Sequence, residues 1–478
     1  MDSAQKFLLA IDQGTTSCRS IIFDLDGRVK HIAQKKLGQS YPQPQWVEQD
    51  LELLWQTQLS TIKDCLKYFT PQEIASIGIT NQRETIGLWD KNGKALKPAI
   101  SWQCQRTKDT IQEFEKHQNF SREITGLPIN PYFSATKLQW LLKNSPEFAQ
   151  MIKTGEVLAG TVDTWLLYKL TKGKSFLTDY SNASRTLLFD INELEWSEKM
   201  CRIFDIPMIL LPKALPSQHE FGLSDKEFTG VEIPIRAMVG DQQAALYGHA
   251  CLDKGLAELT CGTGGFLLLN TGHEPAKTEG LLTSIAWENK EQKPVYMQEA
   301  SILTMGSMVE WLQRINVIPK DPTAIDSLIG EASNSSTLSV MPSLTGFGSP
   351  DWTRNEKASI LGLTAEVTGA DILKATIDGF AFRIKQVIER LDELKELKIG
   401  GGLSRSDYFC QTLANLLRIN VHRAANVEAT AWGAASLSHH EFQKENLIKL
   451  WQKDRSFSPL TNKQIFADWE RWKSIFER

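Results

Sequence analysis

A surplus of positive charge is missing from this chain. Lys and Arg number 53 against 57 Asp and Glu, giving a formal charge of −4 at pH 7, and the basic residues are scattered rather than blocked. That pattern leaves no electrostatic footprint for nucleic acid, and a small-molecule substrate fits better. Cys-x-x-Cys pairs and histidines at metal-ligand spacing are also missing. The seven cysteines, Cys18, Cys65, Cys104, Cys201, Cys251, Cys261 and Cys410, are odd in number and dispersed, so they read as reduced core thiols. No apolar run approaches the roughly 20 residues of a bilayer span. The start, MDSAQKF, lacks the basic-then-apolar pattern of a secretory leader, and a cytoplasmic location is expected. Neither a low-complexity linker nor a long charged block interrupts the sequence.

What is present is enough chain for two or three cores at roughly 150 residues each, two large ones being the natural division for an α/β enzyme. The first informative stretch, Phe7 to Gly27, reads as a hairpin: an apolar strand, the turn Gly14-Thr15-Thr16-Ser17, a second apolar strand and an Asp26-Gly27 turn. Backbone amides and three hydroxyls crowd that first bend, which suits a phosphate, although an ordinary polar turn uses the same residues. Asp12 shifts the balance, because a carboxylate at the end of an apolar run is costly unless a cation or donor meets it.

Asp50 precedes an apolar stripe that predicts a capped helix through Phe69. The strand Ser76 to Thr80 then delivers Asn81-Gln82-Arg83-Glu84-Thr85. An adjacent Arg and Glu are often a surface ion pair, yet at a strand end they supply the donors and acceptors that hydroxyl groups need. Trp102 and Tyr132 are the nearest aromatic candidates for a pocket wall, with core positions as the alternative. A later strand, Ile233 to Val239, ends at Gly240-Asp241-Gln242-Gln243 before a helix from Ala244; Asp241 is either a second strand-end carboxylate or that helix's N-cap.

Near residue 248 the pattern restarts, since AELTCGTGGFLLL is again strand, Gly-Thr-Gly turn, strand. Two such openings point to duplicated domains facing each other across a cleft, with a boundary at about residue 247. The second half adds a helix from Gly306, an amphipathic helix through Ile377 to Leu391, and a strand broken at Gly400-Gly401-Gly402, with Ser404 or Ser406 capping the next helix. The tail from Phe442 to Arg478 reads as helices folded back on the body.

Taken together, IDQGTTSCR, PQWVEQD, TNQRET, SWQCQRT, GLPINPYFSATK, VDTWLLYKLT, NASRTLLFDI, VGDQQAALYG, GTGGFLLLNTG and GGGLSRSDYFCQ resemble, in order and over nearly the whole chain, the glycerol kinases of the FGGY carbohydrate kinase family. The resemblance implies an α/β fold of two actin/hexokinase-like (ribonuclease H-like) domains with mixed sheets flanking a nucleotide cleft, residues 1–247 and 248–478. It implies MgATP and glycerol as ligands, Asp241 as catalytic base, and homodimers or homotetramers. Carried over by position, Arg83, Glu84, Tyr132, Asp241 and Gln242 hold the polyol, with Trp102 and Phe266 against its carbon chain. Thr15, Thr16, Ser17, Arg19, Thr263, Gly306, Glu310, Gly402 and Ser406 fall on the nucleotide, and Asp12 on magnesium through water.

The chain departs from that pattern at Ala135, Cys261, Gly265, Glu310, Thr353, Gly400 and Ser406, mostly on the nucleoside side. A kinase for another small polyol or sugar, or a non-catalytic ligand-binding relative, remains the alternative. Phe221 to Pro234 is shorter and less Gly-rich than the loop with which many bacterial glycerol kinases bind fructose bisphosphate. Purified protein assayed with that sugar at physiological levels is therefore expected to show unchanged turnover, and inhibition would refute the reading.

Overall fold

The apolar runs at residues 8–11 and 21–23 are buried, and they pair as an antiparallel hairpin of β1 (Phe7–Gln13) and β2 (Ser17–Asp24), which sets Asp12 opposite Arg19. The computed structural model describes residues 6–288, 293–321, 325–333, 337–352, 357–391 and 393–476. The departure at Thr353 lies outside these residues.

The hairpin seeds a six-stranded sheet. β3 (Val29–Lys36) extends it antiparallel along one edge, where lysines and exposed backbone face solvent. On the other side β4 (Ile74–Asn81), buried at every position, runs parallel to β1, as a central strand covered on both faces must. β5 (Gln218–Leu223) and β6 (Pro234–Gly240) complete the order β5-β6-β4-β1-β2-β3, with β6 parallel to β4.

The second half repeats the plan. β7 (Leu256–Cys261) and β8 (Gly265–Gly272) form its hairpin, and β9 (Leu282–Trp287) and β10 (Val295–Ile302) continue the antiparallel side. β11 (Glu396–Gly401) and β12 (Val421–Ala424) run parallel beyond β7. Three antiparallel strands are followed by two parallel ones in the first sheet and four by two in the second, the repeat of plan that the paired turns predict. β11 continues through Gly401 instead of breaking at Gly400. Gly401 adopts φ +87°, and a Cβ there would lie 2.4 Å from the Cys261 carbonyl oxygen, so the strand passes only because that residue has no side chain.

The tail differs from its reading as helices alone. β13 (Lys453–Phe457) adds an edge strand to the second sheet, giving β9-β10-β8-β7-β11-β12-β13. Only Phe457 of KDRSF is buried, so the edge strand carries no alternating apolar signal.

Asp50 caps α1 (Leu51–Cys65) by accepting from the amides of Glu52 and Leu53. α2 (Asp241–Gly248) starts directly after β6, three residues ahead of the expected start, with Gly240 and not Asp241 at the N-cap. α3 spans Gly306–Arg314, α4 Gly369–Ile388, α5 Asp407–Leu417 and α6 Ala429–Leu437. α2 and α6 cross at backbone contact: a Cβ on Gly433 would sit 1.9 Å from the Ala244 carbonyl oxygen. α6 also lies on the first sheet, and Leu8, Ala10 and Phe23 share one core with Trp432, Leu268 and Met297. The two halves therefore meet through packed apolar side chains. All seven cysteines are buried and unpaired, and no described helix is long and apolar enough to cross a membrane.

Candidate functional site

Beyond β4 the chain turns sharply. Glu84 takes φ +63°, its carbonyl accepts from Ser134 Oγ at 2.9 Å, and the amide of Thr85 bonds the Arg83 carbonyl at 2.7 Å. This turn buries Arg83 and Glu84, at 3% and 2% exposure, as a surface ion pair would not be. Arg83 Nε lies 3.2 Å from Asp241 Oδ1, and its Nη1 and Nη2 fork onto Glu299 at 2.6 and 3.2 Å. Arg185, fully buried, donates from Nε to Glu84 Oε1 at 2.6 Å and from Nη2 to Glu299 Oε1 at 3.2 Å. The residue pattern alone did not single out Arg185 or Glu299. The available signals were an acid inside the fully buried strand Val295–Ile302 and an Arg within NASRTLLFDI.

Asp241 keeps about 30% of its side chain open to solvent. Burial pushes its carboxyl up to about 6, with Arg83 pulling the other way and Glu84 adding to the rise. Glu299 sits below the usual range, because the guanidiniums of Arg185 and Arg83 overcome the effect of burial. Gln242 donates its amide to Asp241 Oδ1 at 2.7 Å, while its own Oε1 is buried with no partner among the described residues. A buried acceptor beside an open carboxylate fits a hydroxyl-bearing ligand.

Trp102 and Tyr132 meet edge to face, ring centroids 5.6 Å apart. Lys137 Nζ fixes the Tyr132 turn by donating to the carbonyls of Pro131, Tyr132 and Phe133 at 2.5, 2.6 and 3.2 Å. Phe266 pairs with Ser301 and Leu268 with Glu299 across β8 and β10, so Phe266 shares the sheet face of Glu299. Trp102 Nε1 donates to Thr15 Oγ1 at 2.9 Å, which links this wall to the tip of the first hairpin.

At that tip Gly14 N bonds the Ser17 carbonyl at 2.9 Å, and the Thr16 carbonyl accepts from Leu37. Arg19 bridges two carboxylates, Asp12 Oδ2 from Nε at 3.0 Å and Glu428 Oε2 from Nη1 at 2.6 Å. Its guanidinium is thus engaged within the protein, and Asp12 finds its donor there. Among the described residues no three His, Cys, Asp or Glu gather as a metal cage. A cation at Asp12 would take most of its ligands from water and phosphate oxygens, the habit of magnesium.

Thr263, Gly306, Glu310, Gly402 and Ser406 line one cavity of about 610 Å³. The Thr263 carbonyl accepts from Met305 and Ser307 at 3.0 and 3.1 Å, which docks the second Gly-Thr-Gly turn on the N-terminus of α3. Ser406, and not Ser404, caps α5 by accepting from Phe409 N at 3.1 Å, and it also bonds Asp326. Its hydroxyl is therefore committed inside the fold, while Glu310 is exposed at the rim. At Gly265 a Cβ would fall 2.2 Å from Met305 Sδ, so Met305 occupies the room of a side chain there.

The N-terminal domain model of the FGGY family of carbohydrate kinases matches residues 7–248, and the C-terminal domain model matches 257–441. A glycerol kinase of Caldanaerobacter subterraneus subsp. tengcongensis is 40% identical, the alignment covering 99% of this chain and 98% of that protein. The crystal structure of Plasmodium falciparum glycerol kinase with ADP superposes with a TM-score of 0.94 at 33% identity, over 99% of this chain and 98% of that one. A ligand-bound xylulose kinase from Lactobacillus acidophilus, 18% identical, has a TM-score of 0.88 over 98% of this chain and 97% of its own, a likeness of fold alone. With two sheets of one plan and matches that run from end to end, the chain belongs to the FGGY family of carbohydrate kinases.

Proposed function

We propose that the chain transfers the γ-phosphoryl group of ATP to glycerol, yielding sn-glycerol 3-phosphate, with Asp241 as the base. The observation that carries this reading is the open Asp241 carboxylate, held beside a buried Arg83–Glu84 pair and the unpartnered Gln242 Oε1. The glycerol kinases similar over the full chain support it.

Arg83, Glu84, Tyr132 and Gln242 bind the polyol hydroxyls, and Trp102 and Phe266 flank its carbons. Thr15, Thr16 and Ser17 face the phosphates from one hairpin and Thr263 from the other, while Gly306, Glu310, Gly402 and Ser406 border the nucleoside. Asp12, oriented by Arg19, would hold magnesium through water; when bound, the ion neutralises phosphate charge. Phosphoryl transfer is largely dissociative, so the hydroxyl proton leaves late, passing to Asp241 as the oxygen bonds to phosphorus. A carboxylate with a pKa of about 6 suffices for that late transfer. In this reading residues 1–247 form the polyol and phosphate-turn domain and 248–478 the nucleotide domain. A homodimeric or homotetrameric assembly follows the family resemblance, and a cytoplasmic location fits the seven dispersed, unpaired cysteines.

One coupled assay tests the substrate: glycerol and other small polyols and ketoses are offered with MgATP, and glycerol is expected to give the highest kcat/KM. Release of ADP with another substrate and none with glycerol would overturn the assignment. In the same panel, glycerol analogues lacking one hydroxyl strand a buried partner, and a loss of roughly 10- to 100-fold in kcat/KM is expected.

A further inference from the structure

Five charged groups converge behind the polyol site, and their signs do not cancel. Arg83 and Arg185 face three carboxylates, Glu84, Asp241 and Glu299. Four of the five belong to the first half of the chain. Glu299 arrives from β10 in the second, with its side chain fully buried.

The geometry ranks the three acids. Glu299 takes both outer nitrogens of Arg83, and Arg185 adds a third bond to the same carboxylate, so this acid is fully matched. Glu84 is held by Arg185 at 2.6 Å. Asp241 receives only the Nε edge of Arg83, at 3.2 Å. The surplus negative charge of the cluster therefore falls on Asp241, the one acid of the three with substantial exposure.

Resting on the proposed function, we infer that Glu299 and Arg185 are positioning residues that divide the charge of Arg83 between Glu299 and Asp241, and so keep Asp241 basic enough to accept a proton. Glu299 competes with Asp241 for one guanidinium, and Arg185 relieves that competition by sharing Glu299. Removing the acid frees Arg83 for Asp241 and makes Asp241 a weaker base. Removing Arg185 leaves Arg83 alone among three carboxylates and makes Asp241 a stronger one. The other titratable groups within electrostatic reach are Asp12 of β1, already paired with Arg19, Tyr132, and Lys137, whose Nζ donates to three backbone carbonyls and which burial pulls down to about 7, above the expected acid limb. Of these, Tyr132 alone feels the substituted groups, with the Arg185 guanidinium 5.8 Å from its ring centroid, and burial holds its hydroxyl protonated throughout the acid range.

The test is the acid limb of kcat/KM for glycerol, which reports the free enzyme's base. In the wild type it is expected near pH 6, activity falling as Asp241 is protonated below that value. Glu299→Gln should move the limb to lower pH by about one unit and Arg185→Gln to higher pH by about one unit. KM for ATP should hold in both. Glu299→Asp and Arg185→Lys keep the charges but spoil the fork, so they should leave the limb in place and lower kcat roughly 10-fold. A purely structural role would not produce shifts of opposite sign. Limbs that stay put or move in the same direction overturn the inference, as does failure of all four variants to fold, which would make the pair scaffold only. A wild type that turns over no polyol refutes the proposed function itself; normal turnover with unmoved limbs refutes this inference alone.

Discussion

Asp241→Asn is expected to lower kcat with glycerol and MgATP by on the order of 10²- to 10⁴-fold, with ATP affinity and thermal stability retained. The substitution is isosteric, and the side-chain oxygen can still accept from Gln242 N. Helix α2 loses no cap, because Gly240 holds that position. Arg83 keeps its fork on Glu299, so the cluster stays together. What disappears is the carboxylate proposed to take the hydroxyl proton. Isothermal titration with ATP and a thermal melt, run beside the coupled assay, separate lost chemistry from lost structure. Turnover near that of the wild type would remove Asp241 from its role.

Arg83→Met should be the most damaging single change to stability in this region, at about 3 to 5 kcal/mol, the usual cost of leaving a buried ion without its partner. Glu299 would keep one bond from Arg185 and a long one, 3.5 Å, from Ser301 Oγ, and Asp241 would lose its nearest cation. Equilibrium denaturation in urea measures the loss directly. A difference below about 1 kcal/mol would mean that the pair contributes no more than an exposed one. Arg83→Lys does not restore the site, since one ammonium cannot span both Glu299 oxygens and still reach Asp241.

Much of the scaffold was legible because it is written locally. Strand-turn-strand runs with Gly-Thr-Gly or Gly-Thr-Thr tips announce both hairpins, and Asp50 and Ser406 stand where helix caps belong. Arg83, Glu84 and Asp241 were visible because polar residues at the ends of apolar strands need a reason to be there. Their partners were not. Arg185 meets Glu84 across 101 positions, and Glu428 meets Arg19 across 409, separations that no local window contains. The same limit explains Ser406, whose place at the nucleoside cavity was expected but whose bond to Asp326 depends on a segment 80 residues away. The edge strand Lys453–Phe457 escaped for a different reason: pairing through backbone alone asks almost nothing of its side chains.

In the proposed function the bond from Trp102 to Thr15 is a shared fixture between the two ligands. The threonine oxygen accepts from the indole N–H, and a hydroxyl that accepts still has its own hydrogen to give. Pointed at a phosphate, that hydrogen would complete a chain from the aromatic wall of the polyol pocket to the nucleotide, each link polarising the next. Position 15 therefore answers to two neighbours at once. The first turn of the chain, which reads in isolation as a cradle for phosphate, is also the bracket on which Trp102, the proposed polyol wall, hangs.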